Sequence, residues 1–282
     1  MAHRLEEIGA TLSDRYSVVA EIGRGGMATV YRGRDLRHGS DVAIKVIRQE
    51  LATAVTTKRF AREIRIASRL EHPNILPVLD SGEVGGLPYY VMPFIDGETL
   101  HQRLRREHRL PIDESVKLTG EIAEALSYAH AMGVVHRDIK PSNILLSSDH
   151  AIVTDFGIAR HIAGLMSDPL TESGVTMGTV QYMSPEQGSE EAVDGRSDIY
   201  SLGCVLYEML TGAPPFLGSS ARAVIQRHRT EQVPSLRVTC AAVPIALEYA
   251  ILKALAKAPE DRYTDPRDFK VAIERAAPRH RR

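Results

Sequence analysis

His136-Arg137-Asp138-Ile139-Lys140-Pro141-Ser142-Asn143, followed shortly by Asp155-Phe156-Gly157, puts a candidate base, a lysine and two candidate metal ligands in one short window. Breaking a phosphate bond needs positioning and charge neutralisation more than covalent chemistry. The parts required are a base near the acceptor hydroxyl, cations around the phosphates and oxygen ligands for Mg²⁺. Asp138 can accept or orient the hydroxyl proton, Lys140 can offset charge on the transferring group, and Asn143 with Asp155 can hold magnesium through hard oxygen atoms. The competing reading is a polar surface turn. The order of the two loops favours the chemistry.

A second set of residues lies upstream. Ile22-Gly23-Arg24-Gly25-Gly26-Met27-Ala28-Thr29-Val30 is a glycine-rich turn between two β-like runs, and glycines let backbone N–H groups approach phosphate closely. Alone it is a weak signal. The third glycine of G-x-G-x-x-G is Ala28 here and no helical pattern follows directly, which argues against a dinucleotide site. A phosphate-binding candidate, Lys45, follows on the next strand instead.

These residues need elements to hold them. From Tyr16 to about Val91 the pattern is mostly strand-like, with glycine turns at 23–26 and 85–86 and one helical stretch. The two-residue period of Val42-Ala43-Ile44-Lys45-Val46 puts Ala43 and Lys45 on one face and Val42, Ile44 and Val46 on the other. Between Lys58 and Leu70, Phe60, Ile64 and Ala67 recur at helical spacing, which sets Glu63 beside the inward stripe and within reach of Lys45. Without Lys45 and the loops, Glu63 would read as an ordinary solvated acid.

After Pro93-Phe94-Ile95-Asp96-Gly97 the pattern turns helical. Asp113 is the expected N-cap of a helix carrying Leu118, Ile122, Leu126 and Ala129 on one face. A helix from near Asp198 carries Ile199, Leu202, Val205, Leu206 and Met209, an apolar pattern that belongs in a core under the catalytic loop; Pro214-Pro215 is expected to close it. Two further helices are expected over 244–256 and 266–276. The fold class is therefore α+β: a small β-rich lobe with one helix over 16–92, a connecting segment 93–97 and a larger, mainly α lobe over 98–276, between an N-terminal extension 1–15 and a basic tail 277–282.

The 282 residues suffice for two packed lobes but are short for more than one catalytic unit. With 43% hydrophobic residues, 25% charged and a net charge of −1, nothing in the bulk charge points to nucleic acid. Cys204 and Cys240 lie far apart with no partner at metal-ligand spacing, which fits a reducing, cytoplasmic setting. No apolar run reaches the roughly 18 residues needed to span a bilayer, and the amino terminus lacks the apolar core of a signal peptide.

The glycine turn, Lys45 and Glu63, ahead of the window 136–157, together resemble the eukaryotic-like protein kinase family, from about Arg15 to Ala276, and Val42-Ala43-Ile44-Lys45 matches the family's strand motif. The resemblance implies a bilobal kinase fold and transfer of the γ-phosphoryl group of ATP, with Mg²⁺ as cofactor and Mn²⁺ as an alternative ion. It implies that Lys45, paired to Glu63, binds the α- and β-phosphates, that Val30 and Ala43 sandwich adenine, and that Met92 is the gatekeeper ahead of a hinge at Pro93, Phe94 and Ile95. Two departures are Ala28 for the third glycine and Ser184-Pro185-Glu186 for Ala-Pro-Glu; neither removes a catalytic group. By the same resemblance Glu186 pairs with Arg262 of Asp261-Arg262-Tyr263.

Lys140-Pro141-Ser142-Asn143 resembles Ser/Thr kinases, where tyrosine kinases usually have Ala-Ala-Arg-Asn, and Thr179 matches the threonine that bridges the catalytic aspartate and lysine. Protein Ser/Thr hydroxyls are the implied acceptors. Arg137 would receive a phosphate from the segment between Asp155 and Glu186, where Thr171 and Ser173 are the expected autophosphorylation sites and Thr176 a lesser one.

Gly178-Thr179-Val180-Gln181-Tyr182 and Arg196-Ser197-Asp198-Ile199-Tyr200 look like the bacterial branch of the family, many of whose members are membrane receptors. The chain is then a soluble member or the intracellular domain of a longer receptor. Back-to-back pairing of small lobes in that branch would place Arg15 and Leu36 at a homodimer contact.

Two other classes compete. A pseudokinase scaffold commonly loses the strand lysine, the base or the magnesium aspartate, whereas Lys45, Asp138, Asn143 and Asp155 are all present. Small-molecule kinases share the fold, but the segment ending in Ser184-Pro185-Glu186 and the helix at Asp198 argue against them.

Overall fold

β-branched and aromatic residues in short alternating runs build the first sheet of the computed structural model, which describes residues 8–51, 54–156, 177–188 and 192–278. The strands are β1 (Tyr16–Arg24), β2 (Ala28–Asp35), β3 (Asp41–Ile47), β4 (Asp80–Val84) and β5 (Leu87–Pro93). They are antiparallel in the order β1-β2-β3-β5-β4. The turn between β2 and β3 is shaped by Asp35, whose Oδ1 accepts the N–H groups of Arg37 and His38 at 2.8 and 3.2 Å, with Gly39 at φ 69°. The bond with the His38 ring, together with those N–H groups, outweighs burial and holds the Asp35 carboxyl down to about 2.

The sheet sorts its residues by face. Val42, Ile44 and Val46 join Tyr31, Val84, Tyr89 and Val91 in one buried cluster, which also takes in Ile8 and Leu12 from a helical turn at 8–12. On the other face, the helix α1 (Ala54–Ala67) sets Phe60, Ile64 and Ala67 against Ala28, Ile47 and Tyr90, with Met92 packed alongside. Ala43 and Lys45 lie on that same second face, paired with Met92 and Tyr90 of β5.

Chain contacts divide the molecule into two units, the first holding the described residues of 8–72 and 76–96, the second those of 73–75, 97–156 and 177–278. The second opens with β6 (Glu98–Thr99) and α2 (Leu100–Glu107). Thr99 caps α2 reciprocally: its Oγ1 accepts from Gln102 N at 3.1 Å while Gln102 Oε1 accepts from Thr99 N at 2.8 Å. α3 (Ile112–Ala131) buries Leu118, Ile122, Leu126 and Ala129. Its N-cap is Pro111, not Asp113. Proline already has the extended backbone of a cap and lacks the N–H that would otherwise need a partner, so Asp113 falls inside the first turn, where its charge favours the helix dipole.

Two strands follow, β7 (Ile144–Ser147) and β8 (His150–Val153), in a small antiparallel sheet of order β6-β7-β8. Beyond the short helix α4 (Met177–Val180) comes α5 (Arg196–Thr211), buried along nearly its whole length, with Ile199, Leu202, Val205, Leu206 and Met209 all at 0% exposure. It ends at Gly212, φ 89°, whose N–H returns to Glu208 O at 2.7 Å. The left-handed glycine stops the helix before Pro214-Pro215 is reached. The remaining helices are α6 (Ala221–Thr230), α7 (Leu236–Thr239), α8 (Ile245–Ala254) and α9 (Pro266–Ala276), and α9 packs across α3 and α8.

Candidate functional site

The catalytic-loop residues converge within the second unit. Asp138 is fixed from two sides: Lys140 Nζ lies 2.8 Å from its Oδ2, and Asn143 Nδ2 donates to the same oxygen at 3.0 Å and to the Asp138 carbonyl at 2.9 Å. Lys140 Nζ also donates to Thr179 Oγ1 at 3.0 Å, which ties the loop to α4. A proline at the start of the 3-10 turn Pro141–Asn143 brings Asn143 back towards Asp138. The result is a half-buried carboxylate with a cation and an amide held on it.

The backbone of that loop rests on Asp198. This carboxylate, with 0% of its side chain exposed, accepts the N–H groups of His136 and Arg137 at 2.8 and 2.7 Å and bonds His130 Nε2 at 2.8 Å. Arg137 sits at φ 67°, a left-handed conformation that an L-residue adopts only when its surroundings impose it. The imposition comes from Asp198 at the Arg137 N–H and from Gln187, whose Nε2 donates to the Arg137 carbonyl at 3.0 Å.

His136 links this loop to the one carrying Asp155. Its Nδ1 accepts the Asp138 N–H at 3.2 Å, so Nε2 carries the proton that reaches Thr154 O at 2.8 Å, and its ring meets Phe156 edge-on at 4.6 Å. The sequence reading gave His136 and His130 no function. The only sequence signal for either is position, since each is bound to a group far away in the chain.

Asp155 lies two residues past β8, half-buried, at φ 65°. Asn143 spends its amide N–H groups on Asp138, which leaves its amide oxygen for another partner. With the Asp155 carboxylate this is a hard-oxygen donor set suited to Mg²⁺ that also takes ligands from phosphate. Among the described residues there is no group of three or more His, Cys, Asp or Glu that could hold a metal ion.

Beneath these loops Glu186 and Arg262 form a two-pronged ion pair, Nη1 to Oε1 and Nη2 to Oε2 both at 2.7 Å, and Ser197 Oγ donates to the same carboxylate. Burial alone would raise the Glu186 carboxyl. The bonds from Arg262 and Ser197 and the guanidinium charge overcome it and hold the group below its ordinary range. Tyr182 donates to Glu208 in the same region; burial first, then the nearby carboxylate, pushes its hydroxyl well up.

The nucleotide-type residues all belong to the first unit. Ile22, Gly23 and Arg24 end β1, with Ile22 exposed and Arg24 engaged with Glu21 at 2.7 Å. Gly25, Gly26 and Met27 make the hairpin tip, closed by Gly25 N to Ala28 O at 2.9 Å. Ala28, Thr29 and Val30 open β2. Val30 pairs with Lys45 and Lys45 with Tyr90, while Ala43 pairs with Met92, so Val30, Ala43, Lys45 and Met92 share one face. Thr29 pairs with Val46 and points to the opposite face, leaving its backbone as the part available on the Lys45 side. Lys45 Nζ stands 5.9 Å over the Tyr90 ring, and Glu63 is half-buried on α1. Phe94 follows β5, its N–H bonded to Asp41 O at 3.1 Å. Thr171, Ser173 and Thr176 lie outside the described residues.

Comparison with known proteins meets this geometry at both ends. A family model described as "Protein kinase domain" matches residues 16–269. Serine/threonine-protein kinase PknB of Mycobacterium leprae is 43% identical over 272 residues, covering 94% of this chain and 43% of that protein. A probable serine/threonine-protein kinase, SCO3848, of Streptomyces coelicolor is 42% identical over 269 residues, covering 93% and 40%. The chain thus spans less than half the length of these relatives. Among solved structures, the kinase domain of PknI from Mycobacterium tuberculosis, a C20A mutant, superposes with a TM-score of 0.76 at 32% identity, covering 93% of this chain and 96% of that one. Sequence and architecture agree: the chain belongs to the protein kinase family, on the branch of the bacterial eukaryotic-like Ser/Thr kinases.

Proposed function

We propose that this chain is the catalytic unit of an ATP-dependent Ser/Thr protein kinase, transferring the γ-phosphoryl group of Mg²⁺-ATP to Ser or Thr hydroxyls of proteins. The observation that carries this reading is the grouping of Asp138 with Lys140 Nζ at 2.8 Å and Asn143 Nδ2 at 3.0 Å, the lysine also bonded to Thr179. Asp138, oriented from both sides, accepts the bond of the incoming hydroxyl and draws its proton away. Lys140 offsets charge on the transferring group. Asn143 and Asp155 hold the cation; when bound it neutralises the charge developing on the phosphate oxygens.

In the same reading, the backbone of 23–29 and Lys45, supported by Glu63, bind phosphates, Val30 and Ala43 close on adenine, Met92 lines the back of its pocket, and residues 93–95 read its edge. Arg137 receives a phosphate placed by autophosphorylation on Thr171 or Ser173, with Thr176 a lesser site. Glu186, Asp198 and Arg262 are structural supports.

We also infer a cytoplasmic place of action, as a soluble kinase or as the intracellular domain of a longer receptor; no described helix is long and apolar enough to cross a membrane. A back-to-back homodimer through the first unit is part of the proposal, supported by Leu36 being 54% exposed. Arg15 is half engaged there by Asp80 at 2.5 Å. Sedimentation of Leu36→Asp beside wild type tests it, with a wild-type monomer as the contrary result.

The catalytic reading is tested with a general protein acceptor and radiolabelled ATP, followed by phosphoamino-acid analysis. Label on serine and threonine that needs Mg²⁺ and disappears in Asp155→Ala is expected. Label on tyrosine, or none under any metal, would contradict it.

A further inference from the structure

The sheet face that carries Lys45 ends in an arginine with no role so far. Arg32 pairs with Ala43, and Ala43 with Met92, so these three form a row across β2, β3 and β5 next to the row of Val30, Lys45 and Tyr90. Opposite residues of antiparallel strands share a face, which places Arg32 on the side of Ala43 and Lys45. Its guanidinium carbon stands 4.5 Å from the centroid of the Phe94 ring. Its Nη2 donates to Asp41 Oδ2 at 2.5 Å, and the Asp41 carbonyl accepts the Phe94 N–H at 3.1 Å.

Asp41 therefore holds the arginine through its side chain and Phe94 through its backbone, and the arginine completes the circuit by lying on the Phe94 ring. A planar guanidinium is the cationic group that can stack on an aromatic face and bond a carboxylate together; an ammonium cannot do both in that geometry. The alternative is an idle surface ion pair, since the Arg32 and Asp41 side chains are 45% and 43% exposed, and such pairs often contribute little. What separates the two is Phe94: an idle pair has no reason to bear on the segment that follows β5.

We propose that Arg32 is a positioning residue for the base end of ATP, fixing the backbone of 93–95 against β3, through Phe94 and Asp41, in the register that hydrogen-bonds a purine. The inference rests on the ATP reading above. Because the clamp acts on the base, it bears equally on every ligand that carries adenine, with or without phosphates.

The test is titration calorimetry of the purified chain with Mg²⁺-ATP and separately with adenosine, for wild type, Arg32→Ala, Arg32→Lys, Phe94→Ala and the double variant Arg32→Ala/Phe94→Ala, each checked by thermal melting. Arg32→Ala is expected to weaken both ligands by the same factor, about three- to tenfold for loss of one exposed ion pair and one cation–π contact. Arg32→Lys should resemble alanine more than wild type, and the double variant should be no weaker than Phe94→Ala by more than about twofold, as coupled residues require. In turnover, the loss should fall on the KM for ATP with kcat held.

Equal affinity in wild type and Arg32→Ala would overturn the inference, as would weakened ATP with unchanged adenosine, which would mean simple attraction of phosphates. A lowered melting temperature with unchanged affinity in Arg32→Lys would mean a structural role only and would also overturn it. A wild type that binds neither ligand would overturn both this inference and the ATP reading beneath it.

Discussion

The backbone N–H of Arg137 is held 2.7 Å from the buried carboxylate of Asp198, and Arg137 is left-handed at φ 67°. The residue next to the candidate base is thus kept in an unfavourable conformation by a carboxylate 61 positions away in the sequence. Asp198→Asn keeps the shape but turns one acceptor oxygen into a donor facing N–H groups. Leaving such buried donors without an acceptor costs about 3 kcal/mol. A drop in melting temperature on the order of 5–10 °C is expected, together with loss of phosphoryl transfer; calorimetry and a transfer assay check it. A variant as stable and active as wild type would remove Asp198 as the loop's support.

The Glu186–Arg262 pair carries a pH signature. Removing one partner leaves the other charge buried, so Arg262→Ala should cost about 3–5 kcal/mol. Because the Glu186 carboxyl is held below its ordinary value of 4.5, the pair's contribution is fully present above that pH and is lost as pH falls through the lower folded value. Melting curves of wild type and Glu186→Gln from pH 7 downward should stay apart to about pH 4.5 and then converge. A constant gap across that range would contradict the assignment.

Thr179 accepts a hydrogen bond from Lys140 Nζ at 3.0 Å through its hydroxyl. Thr179→Val keeps the shape and removes that bond. A hydrogen bond to a charged group is worth about 1.5–3 kcal/mol, so kcat should fall roughly ten- to a hundredfold with the KM for ATP little changed. Thr179→Ser should restore most of the rate. Steady-state kinetics with both variants decides it.

A Cβ on Gly97 would lie 2.2 Å from the carbonyl oxygen of Leu146, a backbone atom that cannot swing aside. Gly97→Ala must therefore push β7 away from the chain entering β6, at a cost of about 1–3 kcal/mol. Gly178→Ala, where a Cβ meets nothing within 4 Å among the described residues, is the control and should melt close to wild type. Equal melting temperatures for the two would show that the close approach is relieved without strain.

Much of this architecture was legible because it is periodic. The two-residue alternation of 42–46 and the three- and four-residue spacing of Phe60, Ile64 and Ala67 translate directly into faces, and those residues are buried where their periods put them. Helix ends were less legible. Asp113 lost the cap position to Pro111, and Gly212 stopped α5 ahead of the two prolines, because an end is set by one residue's backbone angles and not by a pattern. Local signals were also overlooked: Thr99 and Gln102 carry a capping box that could have marked α2. The supports of the catalytic loop lie in a different class. The helix beginning at Asp198 was expected under the catalytic loop, but the bonds by which Asp198 meets His136 and His130, spanning 62 and 68 positions, are encoded by no local pattern.

The measurement that bears most directly on the central claim is intact-mass analysis and phosphosite mapping of the purified chain after incubation with Mg²⁺-ATP, beside Asp138→Asn. Asparagine keeps the size of the side chain and removes the carboxylate that Lys140 and Asn143 orient. The account expects phosphate on Thr171 or Ser173 in wild type and none in the variant. Phosphate on neither protein despite measured ATP binding, or equal phosphate on both, would contradict it and point to a nucleotide-binding scaffold or to a base other than Asp138.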